Sequence, residues 1–261
     1  MHEFTPINRL KSCRYGTMIF NINDRYVGRS LDAYAEFSEG EVEMFRQIVR
    51  AGDIVLDIGA NIGTHTLFFA RQVGPVGEVV AVEPQRIVFQ TLCANMALNS
   101  VTNVRCLPFA AGAEPGEIAV PRVDYARSGN FGGLSVGGSA DGERVKVITL
   151  DELNIPHCRL IKLDVEGFEE QVLRGAGQTI ERTRPIMYVE NDREERSDSL
   201  IRYIASLGYE LHWHRPALFN PNNHAGNPIN EFGRIVSGNM LCLPTASGMR
   251  VDGLPAVVIP T

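Results

Sequence analysis

The sequence predicts an α/β fold, in which a doubly wound, Rossmann-like sheet of seven strands carries helices on both faces. Strand-like and helical patterns alternate over most of the chain, which is typical of parallel strands joined by crossover helices. Residues 54–82 contain a complete strand–turn–helix–strand unit of this kind. The last two strand-like segments have no helix between them, so we expect an antiparallel hairpin at the C-terminal edge of a mostly parallel sheet.

The pattern divides the chain into three parts. Residues 1–37 contain short alternating segments that predict an N-terminal hairpin preceding the main domain. Ser38 is expected to cap the first helix of a main domain that covers residues 38–244. Residues 245–261 show no clear pattern and are interpreted as a C-terminal tail.

The elements of the main domain follow from apolar runs that end in polar residues or glycine. The sheet strands are predicted near residues 54–57, 79–82, 104–109, 160–163, 186–189, 209–214 and 239–244. Helical patterns separate the early strands, and one helix is predicted to run through Val172 as far as Ile180. A later helix is predicted from Ser199 to Leu207, where Gly208 ends it.

The crossover at residues 116–147 differs from the others because its centre is rich in glycine. Six glycines lie between Ser128 and Gly142, and each glycine inside a helix costs about 1 kcal/mol relative to alanine. Strand-like pieces flank this centre, so we predict an inserted hairpin. Two interpretations stay open: a mobile lid over the site, or a plain surface loop.

Composition and charge bound the class of protein. With 261 residues, 44% of them hydrophobic, the chain can form one large domain with a substantial core. A net charge of −6 without a Lys/Arg block disfavours nucleic acid as a partner. Five scattered cysteines, none in a C-x-x-C pair, indicate reduced thiols. Since no signal peptide or long apolar run is seen, we expect a cytoplasmic protein that spans no membrane. A homodimer is a further expectation.

The turn after the first sheet strand is suited to a nucleoside ligand. Gly59 and Gly63 allow a sharp turn in which the backbone approaches a ligand closely. Glu83 lies 20 residues after Gly63, where a carboxylate can accept hydrogen bonds from ribose hydroxyls. Asn61 replaces a glycine that would admit a pyrophosphate, and Asp57 suits a cationic group, which favours S-adenosylmethionine over NAD. The alternative is that Asp57 and Asn61 only cap the following helix.

Polar residues follow several of the predicted strands. Ligands of open parallel sheets bind outside the carboxyl ends of the strands, where side chains from different strands meet. Each acid alone could favour the start of a helix, but their repetition at successive strand ends indicates a site. The residues concerned are Asp57, Glu83, Asp164, Glu166, Glu190 and Asn191.

Several motifs together resemble the FkbM family of S-adenosylmethionine-dependent methyltransferases. They are GDIVLDIGANIG at 52–63, Glu83-Pro84, KLDVEG at 162–167 with VLRG at 172–175, and NML at 239–241. The resemblance covers roughly residues 38–244 and implies a class I methyltransferase fold. It also implies O-methylation of a hydroxyl on a sugar, polyketide, glycolipid or related secondary metabolite, with S-adenosylmethionine as cofactor and a small molecule or glycan as acceptor.

The cofactor is expected to bind at the first turn and at the ends of the second and fourth sheet strands. Within the turn, His65 is expected to form a wall of the pocket rather than to act as a catalyst. The predicted cofactor-binding residues are Asp57, Gly59, Asn61, Gly63, His65, Glu83, Pro84 and Asp164.

Methyl transfer to an alcohol requires removal of the hydroxyl proton, by a side chain or with the help of a metal ion. The candidate catalytic residues are Asp164, Glu166, Glu190 and His214. Asp164, Glu190 and Asn191 form an oxygen-only set that suits Mg²⁺, and the metal-free and metal-dependent versions both stay open. For His214, the alternative is a structural place on an edge strand. For Lys162, we expect a structural ion pair with Asp164.

Two other functions stay open. The chain could bind S-adenosylmethionine without turnover, as a sensor or scaffold, although the acids after the fourth and fifth sheet strands speak against this. It could instead be an NAD-dependent oxidoreductase, which the chemistry of the Asp57–Asn61 turn disfavours because that turn is unsuited to a pyrophosphate.

Overall fold

The computed structural model describes residues 6–134 and 142–260. Its strands are β1 (Asn8–Cys13), β2 (Gly16–Asn21), β3 (Ile54–Ile58), β4 (Glu78–Val82), β5 (Val104–Leu107), β6 (Ala110–Ala111), β7 (Gly116–Val120), β8 (Glu143–Ile148), β9 (Leu160–Leu163), β10 (Ile186–Glu190), β11 (Tyr209–His214) and β12 (Asn239–Pro244). Its helices are α1 (Val27–Tyr34), α2 (Glu39–Ile48), α3 (Thr64–Val73), α4 (Arg86–Leu98), α5 (Glu169–Arg174), α6 (Gly177–Thr183) and α7 (Glu194–Ser206), with 3₁₀ turns at Asp151–Leu153 and Thr245–Ser247.

A seven-stranded sheet in the order β11-β12-β10-β9-β3-β4-β5 forms the centre of the molecule. Its neighbouring strands are parallel except at β12, which runs antiparallel to both β10 and β11. The predicted α/β sheet, mostly parallel with an antiparallel C-terminal edge, is therefore confirmed. From β3, the strands β4 and β5 are added on one side of the sheet, and β9 and β10 are added on the other side. The strand order thus reverses between β3 and β9, and a ligand crevice is expected at such a switch point.

Both faces of this sheet are covered by helices. Along β3, Val55 packs into a cluster with residues of α2 and α3, and Leu56 packs into a cluster with residues of α5, α6 and α7. The same alternation explains why β9 is buried along its whole length, since a parallel strand between two helical layers has no solvent-exposed face.

The N-terminal segment forms an antiparallel hairpin, β1 with β2, that is docked on α4. The side chains of Asn95 and Asn99 accept hydrogen bonds from the backbone N–H groups of Ile19 (2.7 Å) and Thr17 (2.9 Å). These contacts fix the hairpin to the main domain. The division of the chain at residue 37 into separate parts stays a prediction.

The glycine-rich crossover carries a small sheet in the order β6-β8-β7, in which β7 and β8 are antiparallel. A hairpin in this region was predicted because interior glycines disfavour a helix. Residues 135–141, the tip on which the lid interpretation depends, lie outside the described residues. The lid therefore stays a prediction.

The helix predicted to run through Val172 to Ile180 is in fact two helices, α5 and α6, that are separated at Gly175. A Cβ atom on Gly175 would lie 2.1 Å from the backbone oxygen of Gly112. The backbone carbonyl of Gly175 also accepts a hydrogen bond from the N–H of Asp151 (3.0 Å). This close approach of two backbones, which the sequence pattern did not reveal, ends the first helix.

The C-terminal segment, predicted without structure, covers the open edge of the sheet. The backbone N–H of Trp213 donates to the carbonyl of Pro255 (2.8 Å), and the N–H of Val257 donates to the carbonyl of Leu211 (2.9 Å). An uncovered edge strand is a template for aggregation, and these bonds protect β11. Among the helices of residues 6–134 and 142–260, none combines the length and apolar character that a bilayer span requires.

Gly175→Ala is expected to destabilise the fold by about 1–3 kcal/mol, because the added methyl group must displace packed backbone. Gly177→Ala is the matched control. It lies two residues along the chain, and its Cβ would meet nothing within 4 Å. Urea unfolding of the two variants and the wild type measures the difference. Equal stability of the two variants would contradict the close approach at Gly175.

Candidate active site

The turn between β3 and α3 is held in an unusual backbone conformation. Gly59, Asn61 and Gly63 all have positive φ angles, of 79°, 51° and 87°. A Cβ on Gly59 would lie 1.7 Å from the backbone oxygen of Asp164, so no larger residue fits there. The turn therefore brings the ends of β3 and β9 into direct contact at the switch point of the sheet.

Glu83, at the end of β4, is buried and fixes this turn from the other side. Its carboxylate accepts the N–H of Asn61 (3.0 Å) and the N–H of Gln85 (2.9 Å). Burial raises the pKa of Glu83 to about 7, although both backbone donors favour the charged form. The side chain also lies in the walls of the two cavities described below.

Lys162 lies in the centre of β9 with its ammonium group buried beneath the turn. Its Nζ atom lies 3.1 Å from Asp164 Oδ2, 3.6 Å from Asp57 Oδ1 and 3.3 Å from the carbonyl oxygen of Gly59. Burial by itself lowers the pKa of Lys162, but the charges of Asp164, Asp57 and Glu41 outweigh it and raise that pKa above its ordinary value. The ion pair expected between Lys162 and Asp164 is present.

Asp57 takes a different position from the one expected of a cofactor ligand. Its side chain is fully buried, and its Oδ2 accepts a hydrogen bond from Thr66 Oγ1 (2.6 Å). It does not lie in the wall of either cavity among the described residues. Its charge is directed at Lys162, so Asp57 supports the turn from beneath and does not face the ligand space.

Asp164, Glu166 and Glu190 form a cluster in which one carboxylate oxygen of each lies within 4.8 Å of the others. Burial, and then the charge of Asp164, raise the pKa of Glu166 to about 7. The pKa of Glu190 is raised well above its ordinary value by burial and then by Asp164 and Glu166. Arg193 forms an ion pair with Glu166. The cluster is therefore a set of like charges that are only partly compensated.

His65 and Glu41 form a buried pair beside this cluster. His65 Nε2 lies 3.7 Å from Glu41 Oε2, and Glu41 Oε1 accepts a hydrogen bond from Asn239 Nδ2 (3.0 Å). Burial among Phe37 and Phe45, together with the charge of Lys162, lowers the pKa of His65 to about 3. The imidazole is therefore neutral at physiological pH, and its ring forms part of a cavity wall.

Two cavities meet at the ends of β3, β4 and β9. The first, which we call the apolar cavity, measures about 40 Å³ and has Pro84, Phe109 and Phe168 in its walls. The second, the central cavity, measures about 450 Å³ and is bounded by the turn after β3 and by the acid cluster. The two share Gly59, Glu83, Gly132, Asp164 and Glu166 as lining residues. Together they form one continuous crevice.

Most of the residues predicted for the site lie on this crevice. Those that line it are Gly59, Asn61, His65, Glu83, Pro84, Asp164, Glu166 and Glu190. Gly63, in contrast, lies at the N-terminus of α3, where its Cβ would meet Leu92 at 2.7 Å. Gly63 therefore packs the turn closely, and it is not one of the residues that line the crevice; its predicted cofactor contact stays a prediction.

His214 and Asn191 have partners outside the acid cluster. His214 Nδ1 lies 2.7 Å from the hydroxyl of Tyr188, and burial lowers its pKa. Asn191 Nδ2 contacts the sulfur of Met240 (3.3 Å). Glu166 joins Asp164 and Glu190 in the cluster, and the metal set of Asp164, Glu190 and Asn191 stays a prediction.

Sequence reasoning missed several residues of the crevice. Arg193 was not singled out, although it follows Glu190 closely. Phe109 and Phe168 gave no signal, because single aromatic residues at strand and helix ends occur throughout the chain. Glu41 and Asn239, which pair with each other beside the crevice, lie 198 residues apart, and no local pattern connects them.

Comparison with known proteins gives one family. The sequence model of the family described as "Methyltransferase FkbM domain" matches residues 57–211, which is more than half of the chain. The matched range begins at Asp57 on β3 and ends at Leu211 on β11. It therefore includes the turn after β3, Glu83 and all three acids of the cluster.

Two curated proteins are related over part of the chain. Hexuronic acid methyltransferase AglP of Haloferax volcanii is 29% identical over 143 residues, which cover 52% of this chain and 56% of that protein. Methyltransferase 1 of Beauveria bassiana is 29% identical over 143 residues, which cover 46% of this chain and 57% of that protein. The chain thus spans little more than half the length of these relatives.

Solved structures give more distant similarities. A methyltransferase FkbM from Methylobacillus flagellatus KT has a TM-score of 0.49 at 17% identity, covering 84% of this chain and 55% of that one. A precorrin-6y C5,15-methyltransferase from Geobacter metallireducens GS-15 has a TM-score of 0.49 at 10% identity, covering 81% of this chain and 93% of that one.

The raised pKa of Glu83 predicts a pH-dependent contribution to stability in the protein without ligand. The folded-state pKa of about 7 lies above the ordinary value of 4.5 for a glutamate, so the folded state binds the proton more tightly. This contribution is complete below the unfolded pKa and is lost as the pH rises through about 7. The stability of the wild type relative to Glu83→Gln should therefore fall between pH 5 and pH 8, by up to about 3 kcal/mol.

Urea unfolding of the wild type and Glu83→Gln at four pH values measures this difference. The exposed Glu117, changed to Gln, is the control and should leave the pH dependence of the wild type unchanged. A constant stability difference between the wild type and Glu83→Gln over this pH range would mean that Glu83 is charged throughout.

Proposed function

The chain belongs to the FkbM methyltransferase domain family, and we propose that it transfers the methyl group of S-adenosylmethionine to a hydroxyl oxygen. The acceptor is a sugar, polyketide, glycolipid or related metabolite. One observation carries the proposal: the turn after β3, with Glu83, lines the same crevice as the cluster of Asp164, Glu166 and Glu190. Residues suited to bind a nucleoside and residues suited to accept a proton thus line the same crevice.

The crevice fits the parts of S-adenosylmethionine. The apolar cavity offers Pro84, Phe109 and Phe168 for packing against the adenine ring, although at about 40 Å³ it must open further to admit the whole ring. Glu83, at the junction of the two cavities, keeps free lone pairs that can accept bonds from ribose hydroxyls. When bound, S-adenosylmethionine supplies an electrophilic methyl group on a sulfonium.

The charge of the central cavity supports a cationic cofactor and a neutral acceptor group. Its walls contain five carboxylates but only Lys162 and Arg193 as permanent cations. The ammonium and sulfonium groups of the cofactor are stabilised in such a field, whereas a carboxylate at the reacting position is repelled. A hydroxyl oxygen is therefore a better acceptor here than a carboxylate.

Glu190 is the side chain best placed to remove the hydroxyl proton. Its Oε2 atom is buried and has no hydrogen-bond partner among the described residues. The raised pKa makes it a stronger proton acceptor than an ordinary carboxylate, once it is ionised. Asp164, in contrast, is engaged by Lys162, and Glu166 by Arg193. These two cations orient the neighbouring acids around Glu190.

A magnesium-dependent version uses the same three acids. Carboxylate oxygens are the ligands that Mg²⁺ prefers, at about 2.1 Å, and the cluster would have to contract slightly from its present spacing to hold the ion. Lys162 and Arg193 already supply positive charge to two of the acids. We therefore propose the metal-free version, and chelation distinguishes the two.

The two alternative functions predict different binding. A protein that only senses S-adenosylmethionine would bind the cofactor without turnover, and an oxidoreductase would bind NAD. The buried unpaired oxygen of Glu190 supports turnover, because a pure binding site gains nothing from it. Cytoplasmic location and homodimer formation stay predictions.

Calorimetry is expected to give saturable binding of S-adenosylmethionine and S-adenosylhomocysteine, and no binding of NAD. Glu83→Ala should weaken cofactor binding by roughly 1.5–3 kcal/mol, because charge-assisted bonds to the ribose are lost. Glu117→Ala, at an exposed position on β7, serves as the control. Binding of NAD without a response to S-adenosylhomocysteine would refute the proposed function.

Glu190→Gln is expected to lower kcat by about 10²–10⁴, the usual contribution of a general base, while cofactor affinity changes little. The assay is release of S-adenosylhomocysteine with a panel of methyl glycosides, and kinetics follow on the best acceptor. Glu210→Gln is the control, since Glu210 is an exposed glutamate on β11. In the wild type, kcat should rise with pH as Glu190 ionises, because its pKa is raised.

EDTA and added Mg²⁺ should leave this activity unchanged. Loss of activity in EDTA that Mg²⁺ restores would contradict the metal-free version. It would show that a metal ion held by the three acids activates the hydroxyl in place of a general base. An unchanged kcat in Glu190→Gln would instead move the role to another side chain of the cluster.

A further inference from the structure

A second space, which we call the outer groove, adjoins the central cavity. It measures about 400 Å³, and its walls come from residues 22–29, Ser128 and residues 231–235. Tyr26 and Ile235 line both the outer groove and the central cavity. The outer groove shares no described lining residue with the apolar cavity. It therefore extends the crevice at the end away from the adenine side.

The shape of the outer groove is fixed by contacts within the chain. The hydroxyl of Tyr34 donates to the carbonyl of Ile229 (2.9 Å) and accepts the N–H of Glu231 (2.8 Å). The rings of Tyr26 and Phe232 are parallel to within 7°, with centroids 6.4 Å apart. Two segments far apart in sequence thus form a preformed wall, which reduces the cost of ordering a ligand there.

Of the two arginines in the walls of the outer groove, Arg29 is engaged in an ion pair and Arg25 is the one left to bind a ligand. Asp24 is buried and accepts the N–H of Tyr26 (2.9 Å), so its charge is held at the start of α1. Glu231 forms an ion pair with Arg29. Arg25 is exposed, and no described residue forms an ion pair with it. Its backbone N–H is bound to the carbonyl of Gly129 (2.9 Å), which anchors its position.

The formal charge differs between the two ends of the crevice. The walls of the central cavity contain five carboxylates against Lys162 and Arg193, whereas the outer groove has two acids, Asp24 and Glu231, and two arginines, Arg25 and Arg29. The central cavity is therefore negative and the outer groove neutral, and within the groove Arg25 is the arginine without an ion pair among the described residues. A guanidinium binds carboxylate and phosphate groups through paired N–H donors. An acceptor with an anionic group at one end and a hydroxyl at the other would be drawn into one orientation only.

We propose that the outer groove binds an anionic substituent of the acceptor, a carboxylate or a phosphate, at Arg25. The inference rests on the proposed function, since it places the hydroxyl to be methylated toward Glu190. It adds that the acceptor is anionic, and that the anionic group lies away from the methylated oxygen.

Binding to the protein saturated with S-adenosylhomocysteine tests the inference by calorimetry. The probes are galactose, galacturonic acid and galactose 1-phosphate, which distinguish a neutral sugar, a carboxylate and a phosphate. At least one anionic probe should bind about tenfold more tightly than galactose, which equals about 1.4 kcal/mol. Arg25→Ala should abolish this preference, and Arg25→Lys should retain part of it. The preference should weaken at high salt.

Arg71→Ala is the matched control, because Arg71 is also exposed but lies on α3 outside the walls of these cavities. Equal binding of all three probes, no binding of any probe, or a preference that survives Arg25→Ala would overturn the inference. Loss of S-adenosylhomocysteine binding itself would be a failure of the proposed function, and the first titration of the series reveals it separately.

Discussion

The buried ammonium group of Lys162 is the interaction on which the site depends. It lies beneath the turn after β3 and contacts Asp57, Asp164 and the carbonyl of Gly59. A buried charge without partners is very costly, and removal of one partner of a buried pair typically costs about 3–5 kcal/mol. Lys162 therefore holds the ends of β3 and β9 together at the point where the sheet reverses its order, and the crevice opens above it.

The same requirement explains the chemistry of the crevice. Lys162 and Arg193 offset only part of the negative charge at the strand ends, so burial and then the remaining repulsion raise the pKa of Glu166 and Glu190. Such a site stabilises cations and proton transfer more readily than anions. The outer groove has no net formal charge, because Arg25 and Arg29 match Asp24 and Glu231 there, and the two regions are joined through Tyr26. Charge therefore varies along the crevice, and this variation gives an elongated ligand a direction.

Two predicted site residues take positions other than the expected ones, for identifiable reasons. His214 was assigned because it lies near the end of a strand, but β12 is inserted between β11 and β10, which moves His214 away from the acids. Asn191 was grouped with Glu190 because the two are adjacent. Successive residues of an extended strand point to opposite faces, and Asn191 accordingly contacts Met240. Asp57 lies near the end of β3 as expected, but its buried side chain faces its partner Lys162 in the interior.

The sequence alone determined the α/β class, the strand positions and the turn with Glu83 that lines the crevice, because these depend on short-range features. Apolar periodicity defines strands, and glycines at positions 59 and 63 with Glu83 define a turn and its carboxylate. Only the tertiary structure decided which acids meet and that Glu41 reaches Asn239 across 198 residues. It also decided that the segment 22–26 before α1 meets Glu231, Phe232 and Ile235 to build the outer groove. Those contacts depend on strand order and on backbone packing, which no local pattern encodes.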